Sequence, residues 1–69
     1  MPLQVPQVFA TVTDHATGRI VGLLGPYATS GLARTACGTE VGDLLIWTRG
    51  ELDWVAEWNG QEFRVPADP

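Results

Sequence analysis

The sequence predicts an α+β domain of order ββαβββ, an antiparallel β-sheet with one short helix packed on one face. Three observations carry that prediction. Alternating apolar residues mark two strands around a polar turn over residues 7–24. A capped helical stretch with a narrow apolar face follows a Gly-Pro corner. Further on, Asn59-Gly60 joins two runs of alternating character, as a two-residue hairpin turn does.

The first strand spans residues 7–13, where Val8, Ala10 and Val12 alternate with Phe9, Thr11 and Thr13 and β-branched residues dominate. Asp14-His15-Ala16-Thr17-Gly18 then turns the chain: the Asp carboxylate caps amides just beyond it, and the Gly accepts positive φ. The return strand, residues 19–24, puts Val21 and Leu23 on one face and Ile20, Gly22 and Leu24 on the other. Gly22 marks a bulge or a close approach by the helix. Gly25-Pro26 ends this strand, because proline cannot donate to a ladder.

The helix is expected over residues 29–37. Thr29 or Ser30 supplies the N-cap oxygen, Leu32, Ala33, Ala36 and Cys37 form the apolar face, Arg34 points away, and Gly38 closes the C-terminus. A helix this short, with Gly31 inside it, needs the sheet to persist. After a Gly-rich connector, Leu44-Leu45-Ile46-Trp47-Thr48 reads as a strand, Arg49-Gly50 as a turn and residues 52–58 as an alternating strand. The Asn59-Gly60 turn sets a register in which Trp58 pairs with Gln61, Ala56 with Phe63 and Trp54 with Val65. The other face then carries Glu57 opposite Glu62, and Arg64 opposite Val55. At Arg49-Gly50 a two-residue loop puts Trp47 on the face of Trp54, whereas a three-residue loop turns Trp47 outward.

At 69 residues the chain is one domain, residues 7–65, with an extended lead-in at 1–6 and a frayed end at 66–69. One cysteine excludes an internal disulfide. No apolar run approaches the roughly 18 residues of a membrane span, and the N-terminus lacks signal-peptide features, so a soluble, cytoplasmic protein is expected. Charge is divided along the chain. Residues 1–39 carry net +1, and residues 40–69 carry seven carboxylates and two arginines, net −5. An acidic half of that kind repels phosphate backbones and anionic lipid, which argues against direct nucleic-acid or membrane binding. The absence of lysine and the abundance of Ala, Gly, Thr and Val fit a GC-rich genome.

Catalytic constellations find little support. Cys37 on an apolar helix face reads as a buried, inert thiol, and His15 lies in a turn. One His and one Cys do not make a zinc site, and Glu57 with Glu62 is half a hard-cation site. The same two glutamates could in principle act as an acid–base pair, but a solvated face with Arg64 as counter-charge is the simpler reading. Gly22-Leu23-Leu24-Gly25-Pro26 lacks the spacing and the lysine of a phosphate loop. No enzyme and no cofactor are expected.

Recognition of another protein remains. Trp47, Trp54 and Trp58 exceed what a nine-residue helix covers. Trp47 and Trp58, with Tyr27, Glu57, Glu62 and Arg64, form the expected protein-binding set, since Trp and Arg ringed by carboxylates is a hot-spot composition. On that reading Trp58→Ser leaves stability nearly unchanged and removes partner binding. The segment His-Ala-Thr-Gly-Arg-Ile-Val-Gly-Leu-Leu-Gly-Pro-Tyr-Ala-Thr-Ser-Gly-Leu-Ala-Arg, residues 15–34, resembles small uncharacterised accessory proteins of actinobacteriophages. The resemblance covers about 20 of the 69 residues and implies an accessory phage protein without catalytic residues. The expected function is therefore a phage-encoded module that binds and modulates a host protein through a Trp-bearing acidic sheet surface. Two alternatives are a virion component, such as a capsid-decorating or head-joining protein, and an acidic DNA mimic that occupies a nucleic-acid-binding protein. The open sheet edges also allow homo-oligomers.

Overall fold

A computed structural model describes residues 7–67. The elements are β1 (Val8–Asp14), β2 (Ile20–Tyr27), α1 (Ser30–Val41), β3 (Thr48–Arg49), β4 (Asp53–Trp58) and β5 (Gln61–Pro66). They form an antiparallel five-stranded sheet of order β2-β1-β5-β4-β3 with α1 on one face, the ββαβββ architecture that the residue pattern predicts.

The β4–β5 hairpin follows from its turn. Asn59 and Gly60 both take positive φ, 50° and 77°, as a type I′ turn requires. The pairs Trp58–Gln61, Ala56–Phe63, Trp54–Val65, Glu57–Glu62 and Val55–Arg64 match the expected register. In the β1–β2 hairpin the Asp14 carboxylate accepts from the Thr17 amide at 3.1 Å and the Thr17 hydroxyl at 2.8 Å, the expected local cap.

Several boundaries differ from expectation for physical reasons. β2 does not stop at Leu24 but continues through Gly25-Pro26, and Val8 pairs with Tyr27. β2 is an edge strand, so Pro26 has no ladder partner to deprive. Its register against β1 shifts twice, at these residues and again between Ile20 and Gly22, and Gly22 lies close to the Val12 side chain rather than to the helix.

The helix does not end at Gly38 as expected but is longer. Thr29 caps it by accepting from the Leu32 amide at 3.1 Å, and it runs through Gly38 to Val41. Gly42, at φ 70°, is the left-handed C-terminal residue, and its amide reaches the carbonyls of Gly38 and Thr39. Its buried stripe is Ser30, Ala33 and Cys37, while Leu32 is exposed. Arg34 does not point away: its guanidinium lies over Trp54.

Residues 44–47 are not a strand. Leu45 is buried, but Leu44 and Ile46 are 85% and 82% exposed, and pairing with β4 begins only at Thr48–Val55. The turn falls at Glu51-Leu52 instead of Arg49-Gly50, with Arg49 opposite Trp54, so Trp47 lies on the helix side. β5 includes Pro66, and the Ala67 amide donates to the Leu52 carbonyl at 3.0 Å, so the chain stays anchored past residue 65. The expected lead-in at residues 1–6 and the last two residues of the frayed end lie outside the described residues.

The core lies between α1 and the inner sheet face: Ala10, Val12, Ala33, Cys37, Leu45, Ala56, Phe63 and Val65. Small residues on both layers let the helix approach closely, and Phe63 supplies the bulk. Burial pushes the Cys37 thiol up to about 11, with the charge of Glu40 adding to the effect. A raised thiol pKa favours the fold while the thiol is neutral. That contribution is whole below about pH 9 and is lost as pH rises through about 11. Iodoacetamide at about pH 8 is expected to leave the folded chain unlabelled over hours and to label it in urea; rapid native labelling would show an accessible thiolate.

Candidate functional site

The outer sheet face, opposite α1, has no second layer among the described residues. Pairing defines its rows. One runs Leu23–Thr11–Arg64–Val55–Thr48 across all five strands, and the next runs Ile20–Thr13–Glu62–Glu57. The first half of each row, on β2 and β1, is apolar or neutral. The second half, on β5 and β4, carries Arg64, Glu62 and Glu57, with Val55 beside Arg64.

Arg64 organises the charged half. It bonds Asp53 at 3.3 Å on one side and Glu62 at 3.3 Å on the other. Both pairs are solvent-exposed and contribute little to stability, but they fix a guanidinium between two carboxylates at the centre of the face. Glu57 lies opposite Glu62 without a cation of its own among the described residues, so the face keeps a negative excess. Beside Arg64 a shallow open groove of about 420 Å³ is lined by Phe9, Thr11, Leu52, Asp53 and Pro66. Leu52 is 80% exposed at its rim, and Leu23 is 60% exposed on the same sheet face.

The six expected protein-binding residues do not share one surface. Glu57, Glu62 and Arg64 lie together on the outer face. Trp47, Trp58 and Tyr27 lie on the helix side, half-buried against the core. Trp58 is held there by a hydrogen bond from its Nε1 to Asp43 at 3.1 Å. That bond and one from the Leu44 amide hold the Asp43 carboxyl below the usual carboxylate range. Truncating Trp58 to serine therefore removes core packing as well as this bond, contrary to the expectation of unchanged stability.

Phe9, Leu23 and Val55 complete the outer face, and residue pattern alone did not single them out. The signal for Val55 was present in its pairing with Arg64. For Phe9 and Leu23 it depended on β1 lying beside β5, which no local pattern states. Tyr27 and Trp54 instead join the inner layer, where Arg34 and Arg49 both approach the Trp54 ring.

Among the described residues no group of three or more His, Cys, Asp or Glu is placed to hold a metal ion, and no helix is long and apolar enough to cross a membrane. His15 is exposed in the β1–β2 turn, and Cys37 is buried on the sheet-facing side of α1. No family model, curated protein or solved structure matches the chain.

Proposed function

We propose that the chain is a small non-catalytic protein-binding module that docks through its outer sheet face. The observation that carries this reading is the uncovered face itself: an apolar half with Leu23, Ile20 and Phe9 beside an anionic half with Asp53, Glu57 and Glu62. A partner that fits presents an apolar stripe flanked by cationic side chains. The resemblance of residues 15–34 to actinobacteriophage proteins makes a host protein, met in the host cytoplasm, the partner of choice. Arg64, set among the carboxylates, supports a protein partner over mimicry of a phosphate row, in which an embedded cation has no counterpart.

Affinity capture of the tagged chain from an actinobacterial lysate tests this. The parent chain is expected to retain one stoichiometric host protein, and Leu23→Lys or Glu57→Lys to reduce that capture about tenfold or more while the fold persists. Capture insensitive to both substitutions would place the partner elsewhere. No partner, with the bait running as a defined oligomer, would favour a structural component instead.

A further inference from the structure

On the helix side two arginines converge on one indole. The Arg34 guanidinium carbon lies 4.1 Å from the Trp54 ring centroid, and that of Arg49 lies 5.7 Å from the same centroid. Arg34 arrives from α1, and Arg49 from β3, directly opposite Trp54 in the ladder. Neither has an ion pair among the described residues, where both ion pairs belong to Arg64. Arg49 donates one hydrogen bond, to the Gly50 carbonyl. Arg34 has its Nε buried without an acceptor, and no hydrogen bond from its other nitrogens is present among the described residues.

Both guanidinium carbons lie close to one ring, so they are no more than about 10 Å apart; two cations that near repel each other, and the indole offsets only part of that repulsion. The chain carries net charge −4, yet among the described residues Asp53 and Glu62 pair with Arg64, Asp43 accepts from the Trp58 indole and Asp14 from Thr17, and no carboxylate pairs with Arg34 or Arg49. Beside Arg34 opens a groove of about 600 Å³ between α1 and residues 43–47. Gly31, Thr35 and Gly38 give it a floor of small residues, and Leu45 and Trp47 help to wall it. Asp43 lines the same groove and is kept ionised by its hydrogen bonds. A ligand with one anionic end meets the arginines, whereas a second anionic group along the groove meets Asp43.

We propose that Arg34 and Arg49 form a binding site for a small phosphate monoester, its dianionic head at the two guanidiniums and its organic body in the groove beside Trp47. Two unpaired cations match two negative charges better than one, which favours a phosphate over a carboxylate. The single charged end excludes a polynucleotide backbone, which the acidic remainder of the chain also repels.

Phenyl phosphate is the probe, titrated against the intact chain and followed through the indole N–H and arginine side-chain NMR signals, with benzoate and inorganic phosphate as parallel arms. Saturable one-to-one binding is expected, with the largest shifts at Arg34, Arg49, Trp47 and Trp54. Benzoate and inorganic phosphate are expected to bind more weakly, the first for lack of a second negative charge and the second for lack of a body in the groove. Arg49→Gln, at an exposed position, is expected to weaken binding about tenfold, and Arg34→Gln at least as much. Arg19→Gln is expected to have no effect. Binding is also expected to weaken as pH falls through about 6, where the monoester takes up its second proton. Benzoate or inorganic phosphate binding as tightly as phenyl phosphate would overturn the site, as would equal binding by Arg49→Gln or no saturation. Leu23→Lys, on the opposite face, is expected to leave this binding intact, so failure here is separable from failure of the docking face.

Discussion

Replacing Phe63 with alanine is expected to leave most of the chain unfolded in water. Phe63 is 2% exposed, lies on the central strand β5 and pairs with Val12 on one side and Ala56 on the other. Most of the other buried residues are small, so no neighbour can reach into the space its ring would vacate. Removing a buried phenyl ring costs about 3–5 kcal/mol. A domain this small has about 3–5 kcal/mol in total from its core. Circular dichroism with a urea titration checks this. Phe63→Leu, which keeps most of the volume, is expected to remain folded at a cost of about 1.5 kcal/mol or less. A Phe63→Ala chain within about 1 kcal/mol of the parent would show that the helix and sheet hold together without a common centre.

Gly25→Ala carries the second largest expected loss. Gly25 has φ 127°, where an L side chain is strained, and a Cβ there would stand 2.9 Å from the Val8 carbonyl oxygen and 3.1 Å from Phe9 Cδ1. The Val8 oxygen is backbone in the adjoining strand, so relief requires that β1 and β2 separate. The conformational part alone costs about 1–3 kcal/mol. In a domain of this size each kcal/mol lowers Tm by about 4–8 °C. Thermal melts of Gly25→Ala beside Gly18→Ala, which has positive φ but open space, separate the two causes. Equal losses in the two variants would mean that contact with β1 contributes nothing.

These two positions show what was legible. The β4–β5 hairpin was readable residue by residue, because a two-residue Asn-Gly loop fixes register and register fixes faces. Phe63 and Val65 therefore fell on the core side, and Glu57, Glu62 and Arg64 on the other, without any knowledge of neighbours. The helix end was not readable, since Gly38 and Gly42 both satisfy the same rule. Hydroxyls of Thr35 and Thr39 bond back to the Gly31 and Thr35 carbonyls, one before and one after Gly38 in a helix that continues past it. Leu44 to Trp47 alternates in burial as a strand would, but only residues from Thr48 find a partner. The candidate site was half legible for the same reason. Its charged half lies on the hairpin whose register was set locally. Its apolar half is supplied by β1 and β2, and what joins the halves is the pairing of Thr11 with Arg64 and Val12 with Phe63. Arg34 was misplaced because a polar residue between apolar helical positions reads as solvent-facing, whereas its long stem lets the charge return to Trp54.

The position of β5 also governs the order in which the sheet can assemble. The β1–β2 and β4–β5 hairpins each close over a short loop and can form independently. The seam between them joins residues such as Thr11 and Arg64, far apart in sequence, so a long loop must close before that contact is gained. Until it closes, the inner faces of both hairpins and the apolar stripe of α1 stand open to water. Closure of the β1–β5 seam, rather than either turn, is therefore the step expected to set the folding rate, because before it the chain is two wet-faced hairpins tethered by a helix too short to persist alone.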